Sequence, residues 1–451
     1  MKRTTHGAAT FAPVGTASVH GTVRFASNEK MAPDTMGSGT SVQELKKMRA
    51  EARQQAARGN FTVALELMAR VVGMQAPSPP TDYADCALYA WNMGRYQDSR
   101  VYCEQSLQKN GRTANELYYL VVICTKLRDY DAALAAGHEL LELGEKTPRV
   151  YAAIAYASMC VKNFEDSMHY GELALAAWDA SIPAVSPTEF PRRKDFDPAK
   201  KTRNIISFSL WGQDNRYLRG AVRNALLAHD FYPSWTCRFY LDESVPGDVT
   251  ALLRALQAQV ILMPRPSLPF EGLGWRFQVW DDKNVDFCLI RDCDSVFSSF
   301  ETVAVNAWLR SERWFHVMRG WYGHTDLILA GLWGGATGML NNLYTGYTQS
   351  LDSSMTSGAD QIYLRKYVWP VIKQNATIHD RVHRIPGTLP FPDADLWPGG
   401  GWHVGSNEAA GNPGRQELLL REYYKRCPSL RGRTGILRAN DAVQTVAVRQ
   451  K

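Results

Sequence analysis

The pattern of apolar and polar positions changes character three times along the chain. Up to about Thr40 the sequence mixes Gly, Ser, Thr and Ala without periodicity. Such a composition cannot bury enough apolar surface to offset the entropy of ordering it, so residues 1–40 read as a disordered tail. From Ser41 onward apolar positions recur with helical spacing, and four short segments look alike: Gly59-Asn60-Phe61, Gly94-Arg95-Tyr96, Arg128-Asp129-Tyr130 and Lys162-Asn163-Phe164. The helical pattern covers 41–182. Prolines and charges from Ser181-Ile182-Pro183 to Pro198 then predict a linker over 183–203. Beyond it, short apolar runs alternate with amphipathic ones. Residues 204–210 predict a strand stopped by Trp211-Gly212, 217–229 a helix, 236–241 a strand, 249–257 a helix, and 260–262 and 284–290 further strands. Alternation of this kind predicts a mostly parallel sheet covered on both faces. It extends over 204–410, and 411–451 is expected to be a C-terminal helix and basic tail.

The aromatics Phe61, Tyr96, Tyr130 and Phe164 recur at intervals of 35, 34 and 34 residues. A period near 34 is one helix-turn-helix unit, in which an aromatic after the turn wedges between two helices. A small residue about three positions on, Ala64, Ala132 or Ser167, lets the helices approach. On these residues the stretch resembles the tetratricopeptide repeat family. It departs from it in lacking the turn glycine in the last two copies and in a Pro-rich kink at 75–80. An array of this type implies a concave surface for a protein partner or for self-association.

Composition narrows the class. At 451 residues the chain is too long for one ordinary core, and 45% hydrophobic with 21% charged residues is a globular balance. The net charge of +6 hints weakly at an acidic or phosphate-bearing partner, much of it arising from Lys425, Arg426, Arg431, Arg433 and Arg438. Eight scattered cysteines without a CxxC pair read as buried thiols in a reducing compartment. No secretory signal is visible and no apolar run is long enough for a bilayer crossing, so the expectation is a cytoplasmic protein, at most peripheral to the inner membrane, with no transmembrane segment. Basic residues are spread out and no reading motif appears, which argues against nucleic-acid binding.

The chemistry is concentrated after the strand at 284–290, where Arg291-Asp292-Cys293-Asp294-Ser295 follows at once. Two aspartates one residue apart at the carboxyl end of a buried strand can both reach one hard divalent cation. Asp-x-Asp also serves ordinary turns. Further motifs accompany it: Ser207-Phe208-Ser209-Leu210-Trp211-Gly212, Tyr232-Pro233-Ser234-Trp235, Phe239-Tyr240-Leu241-Asp242, Trp275-Arg276-Phe277, His316-Val317-Met318-Arg319, Gly331-Leu332-Trp333-Gly334-Gly335, Asp360-Gln361 and His379-Asp380. In this order they resemble bacterial glycosyltransferases of the A-type (DxD) fold, which implies an α/β domain with a mixed, mostly parallel sheet after the α-helical repeats. The chain departs from the family at Gly320-Trp321-Tyr322-Gly323-His324, where relatives carry an acidic residue and then His-Pro.

The resemblance implies a nucleotide-sugar donor, a Mn²⁺ or Mg²⁺ cofactor, and a glycan, lipid-linked glycan or protein acceptor. It makes Asp294 the direct metal ligand, Asp292 a ligand of metal and sugar or ribose hydroxyls, and His403 a third metal ligand. Arg276 and Arg291 are candidates for the diphosphate, Ser209 and Asp242 for base and ribose. Asp360 is the candidate base of an inverting reaction. His316, Arg319 and His324 are candidates for contact with the transferred sugar, Trp321 and Tyr322 for stacking on it, and Glu301 for bracing. Each has an ordinary alternative: a helix cap for Asp242 and Asp360, core histidines, surface ion pairs for the arginines. Two other functions fit parts of the sequence. Asp292-Cys293-Asp294-Ser295-Val296 fits the haloacid-dehalogenase phosphatase pattern with Asp292 as nucleophile, although that motif belongs after the first strand of its domain. The third reading is a non-catalytic repeat scaffold carrying a decayed transferase.

Overall fold

The computed structural model describes residues 42–74, 79–351, 358–392 and 403–406. The tail 1–40, most of the kink and the C-terminal helix and basic tail lie outside the described residues, as do six residues between α12 and α13, below. Among the described residues no helix is long and apolar enough to cross a membrane. The chain divides into two compact units, with the division inside one helix, between Ala174 and Leu175.

The first unit is built of helix pairs: α1 (Val42–Ala57) with α2 (Phe61–Met74), α3 (Pro80–Asn92) with α4 (Tyr96–Asn110), α5 (Ala114–Leu127) with α6 (Tyr130–Glu142), and α7 (Pro148–Cys160) with α8 (Phe164–Ser181). Each recurring aromatic is the first residue of the second helix of its pair. The turns before them need a left-handed residue, supplied by Gly59 and Gly94 at φ 80° and 72° and, where the glycine is missing, by Arg128 and Lys162 at 62° and 64°. The small residue falls three places after each aromatic, at Ala64, Ser99, Ala133 and Ser167, all fully buried. In the third copy this corrects Ala132 to Ala133. Ser99 and Ser167 also donate hydrogen bonds to the carbonyls of Ala87 and Ala155 on the preceding helix, at 2.8 and 2.7 Å. The wedge role holds for Phe61, whose ring meets Tyr89, and Tyr96, which meets Trp91. Phe164 is exposed.

The second unit opens with a strap, residues 182–203, that is held closely. Trp314 Nε1 donates to the carbonyl of Pro191 at 2.7 Å, and Phe196 lies against Trp235 and Phe287. Among the described residues seven strands follow, β1 (Asn204–Leu210), β2 (Thr236–Leu241), β3 (Gln259–Leu262), β4 (Phe287–Ile290), β5 (Phe315–Arg319), β6 (Trp333–Ala336) and β7 (Ala376–Asp380). Between them run α9 (Asn215–Phe231), α10 (Gly247–Ala255), a 3₁₀ segment Glu271–Asp281, α11 (Ser299–Arg310), α12 (Leu343–Ser350), α13 (Ala359–Tyr363) and, after a π-helical turn, α14 (Trp369–Ile372). The sheet order is β3-β2-β1-β4-β6-β5-β7. Six strands share one direction and β6 runs against both neighbours. The alternating helix and strand pattern thus yields the mixed, mostly parallel sheet, and an array of helical repeats precedes it.

From β1 the chain proceeds to β2 and β3 on one side and returns to β4 on the other. The carboxyl ends of β1 and β4 therefore flank the point where the winding reverses, the position at which open α/β sheets form a ligand crevice. Residues 291–295 occupy that point.

Candidate active site

The loop 291–295 leaves the end of β4 with its backbone fixed from several sides. Arg291 N donates to the carbonyl of Ser207 in β1, and Asn224 of α9 donates to the carbonyls of Cys293 and Ser295 at 3.1 and 2.7 Å. Gly220 of α9 packs so closely that a Cβ there would lie 2.2 Å from the Cys293 oxygen. Ser295 Oγ donates to Gly405 O, and Val296 N to Ser406 O, so residues 403–406 dock on the far side of the loop.

Asp292 and Asp294 leave this loop in different environments. The Asp292 side chain is 40% exposed and touches Arg276. It also sets the shape of a second loop, because Gly331 approaches its carboxylate so nearly that a Cβ would lie 2.1 Å from Oδ2. Asp294 is buried and pairs with Arg216, in the first turn of α9, at 2.6 Å. Burial, with the neighbouring Asp292 charge, raises its carboxyl to about 6 in spite of Arg216.

Arg276 joins distant parts of the chain. Its Nη1 donates to Asp292 and, at 3.0 Å, to the Arg291 carbonyl; its Nη2 donates to Asp360 Oδ2 at 2.8 Å. Burial opposes its charge, but the two aspartates outweigh that and hold it charged. Asp360, at the start of α13, is raised by its own burial, with Arg276 pulling the other way. Arg276 itself is aimed by Ser209, whose hydroxyl accepts from Arg276 N at 2.9 Å and donates to Leu273 O. The structure thus brings Ser209, Arg276, Asp292 and Asp360 together, with Asp294 and Arg216 beside them.

Other expected residues are placed elsewhere. Arg291 turns into the core beneath β4 and β6, paired with Glu301 at 2.7 Å and donating to the carbonyls of Ile290 and Trp333. Glu301 also accepts from Tyr232, so Arg291 and Glu301 form a core ion pair, and Arg291 lies apart from the cluster where a diphosphate contact was expected. His316, the second residue of β5, packs against Trp308 with Nε2 2.8 Å from His379 Nδ1, away from the carboxyl edge where a sugar contact requires it. Arg319 closes β5 onto β7 through Asp380 at 2.6 Å and holds the Leu327 carbonyl at 2.9 Å; it steadies the Gly331 loop from below. Asp242 accepts from Ser244 in the turn after β2, where it shapes the turn. His403 stacks on Trp321, meets His324 edge-on and lies 2.9 Å from Val404 O through Nδ1. Burial lowers the pKa of both His324 and His403. Among the described residues no three His, Cys, Asp or Glu side chains gather as a metal-binding set, so Asp292, Asp294 and His403 are not brought together as one.

Several contributors were missed in the sequence. Arg216 carries no motif. Gly331 and Gln361 lay inside quoted motifs without a role, and Gln361 fastens the Gly331 loop to α13 by accepting from Ala330 N at 3.0 Å and donating to Ile328 O. Arg365 pairs with Asp326 at 2.6 Å in the same junction.

No family model and no curated protein matches the chain. Among solved structures, it is similar to MamA from Desulfovibrio magneticus at 16% identity, over 30% of this chain and 75% of that one, with a TM-score of 0.29. It is similar to a tetratricopeptide repeat protein from Parabacteroides merdae at 13% identity, over 31% and 56%, with a TM-score of 0.30. It is also similar to a mutant O-GlcNAc transferase from Thermobaculum terrenum at 16% identity, over 56% of this chain and 47% of that one, with a TM-score of 0.37.

Proposed function

We propose that the α/β unit is a glycosyltransferase that moves a sugar from a nucleotide-sugar donor to a glycan, lipid-linked glycan or protein acceptor, with the helical repeats binding acceptor or partner. The observation that carries this reading is the meeting of Asp292, Asp294 and Asp360 around Arg276 and Arg216 at the switch point of the sheet. Glycosyl transfer develops positive charge at the anomeric carbon and negative charge on the departing diphosphate, so a site needs carboxylates and cations fixed side by side. Asp292, the exposed acid, is available to sugar or ribose hydroxyls. Asp360 is the base in an inverting displacement, and its raised pKa brings it closer to the operating range of a proton acceptor. Trp211, at the end of β1, offers an exposed aromatic face beside the crevice for a flat ring such as a base.

The Mn²⁺ or Mg²⁺ expected of the motif does not fit the side chains as arranged. Each aspartate of the pair already meets an arginine, and a cation at Asp294 has to displace Arg216. The phosphatase alternative has Asp292 as nucleophile at the end of a first strand, whereas three strands of this unit precede β4.

The test is release of nucleoside diphosphate from a panel of nucleotide sugars, run beside p-nitrophenyl phosphate. Slow release is expected, lowered about a hundredfold in Asp360→Asn with donor binding retained. Turnover of p-nitrophenyl phosphate without nucleotide release assigns the phosphatase instead, and inertness toward both assigns the scaffold.

A further inference from the structure

We infer that Trp178 and Arg365 are positioning residues for the candidate site: through them the end of α8 fixes the loop that sets Gly331 against Asp292. That a sugar donor feels this rests on the transferase reading; the support of the loop does not.

The chain after α12 carries Gln361, Arg365, Trp369 and Lys373, a hydrogen-bonding side chain every four residues. That spacing places them along one face of the helical run that passes through α13, the π-helical turn and α14. Pro370 accounts for the turn. It has no N–H for the carbonyl four residues back and its ring presses on that carbonyl, so the backbone opens to the wider π form at Leu364–Val368. Single π-helical turns of this kind recur at functional sites.

At one end of this face Gln361 grips the Gly331 loop, accepting from Ala330 N at 3.0 Å and donating to Ile328 O. Four residues on, Arg365 donates through Nη1 to Asp326 Oδ2 at 2.6 Å, and Asp326 Oδ1 accepts from Leu327 N at 2.8 Å. Both members of that ion pair are buried. The other end of the face meets Trp178 and Asp179 in the last turn of α8, residues of the same unit. The Arg365 guanidinium carbon lies 3.6 Å from the centroid of the Trp178 ring, and Asp179 Oδ1 accepts from Trp369 Nε1 at 2.6 Å and from Lys373 Nζ at 2.8 Å. Arg365 therefore stacks its face on an aromatic ring while its edge holds the loop, a division of labour open to a planar guanidinium and closed to an ammonium.

The loop so held has little freedom where it meets the site. A Cβ at position 331 would lie 2.1 Å from Asp292 Oδ2, so any shift of the loop presses on that carboxylate or opens a gap beside it. Asp360 stands on the same helical run, its Oδ1 accepting from Gln361 N at 2.9 Å. Removing Arg365 takes the counter-ion from a buried carboxylate and endangers folding, so the test acts on Trp178, which leaves the ion pair in place.

The test uses the full chain, wild type, Trp178→Leu and Trp178→Phe, each first shown to be folded by circular dichroism. Amide hydrogen exchange is followed by mass spectrometry over residues 326–332, with β1 as the reference. Trp178→Leu is expected to speed exchange in 326–332 about tenfold, as for loss of a desolvated cation–π contact, and to leave β1 as in the wild type; Trp178→Phe returns most of the protection. Nucleoside diphosphate release is measured in parallel with UDP-, GDP- and CDP-linked sugars. For the sugar nucleotide turned over, KM is expected to rise about tenfold in Trp178→Leu and to recover in large part in Trp178→Phe, because the substitution disturbs Asp292 and not merely the amount of folded protein. Unchanged exchange in 326–332, or a rise shared equally by β1, overturns the inference. So does a fall in kcat with KM unmoved, which loss of folded protein alone produces. Faster exchange confined to 326–332, with no nucleotide released by the wild type from any donor, removes the transferase reading and sustains the role of Trp178 and Arg365 in holding the loop.

Discussion

Near the amino end of β5 the His316 ring lies parallel to Trp308 and its Nε2 stands 2.8 Å from His379 Nδ1. Burial holds both imidazoles neutral: His316 is lowered well below the usual range, and His379 falls to about 4. A base with a depressed folded pKa binds fewer protons folded than unfolded across the interval between the two values. Stability is then fully present above the unfolded pKa, about 6.5, and falls as pH drops toward 4. Urea midpoints measured over this interval are expected to decline, and the decline to be shallower in His379→Gln; an identical slope in the variant refutes the assignment. Its place in the His316-Val317-Met318-Arg319 motif had suggested a sugar contact for His316, because a sequence shows that a histidine is present but not that a partner 63 positions away neutralises its use. The Asp360-Gln361 pair at a helix start did point to a place where elements meet: Asp360 accepts from Arg276, and Gln361 accepts from Ala330 N. Arg216 was not legible, since an arginine in a first helical turn looks like any solvated charge until α9 is laid against β4.

Among the elements, the helix pairs were the most readable, because a repeated aromatic states its own period. The turns explain how two copies dispense with glycine. Lys162 holds φ 64° with an exposed side chain, and an L-residue in that conformation is strained by roughly 1 kcal/mol. Lys162→Gly relieves this and loses part of the gain to the greater entropy of glycine in the unfolded chain, leaving a net stabilisation of about 0.5 kcal/mol. Chemical denaturation of the two proteins measures it, and a destabilised variant refutes the account of the turn. The first strands were also legible, as apolar runs that end at breakers. The later ones were not. Trp333-Gly334-Gly335-Ala336 forms β6 with little intrinsic strand preference; tertiary pairing with β4 and β5 makes it a strand. The region 183–203 read as a linker from its prolines and charges, yet it is tied down by Trp314, by Phe196 and by the pairing of Lys194 and Arg203 with Asp286, contacts no local pattern announces.

At the scale of the molecule, the sequence order of motifs becomes a spatial one. Residues 209, 276, 292 and 360 converge because β1 and β4 are neighbours at the reversal of the sheet, while the 3₁₀ segment and α13 close over their ends. The motif therefore lies at the carboxyl edge of β4, where the apolar run before it had placed it. The charge balance there was invisible, because it depends on which basic side chains the fold delivers to the aspartates. The transferase reading depends on a donor binding at this cluster. The direct measurement is a thermal-shift screen of the full chain against UDP-, GDP- and CDP-linked sugars, repeated with Asp292→Ala. The account predicts that one nucleotide class raises the melting temperature of the wild type and leaves that of the variant unmoved; a shift of equal size in both proteins, or none from any donor, contradicts it.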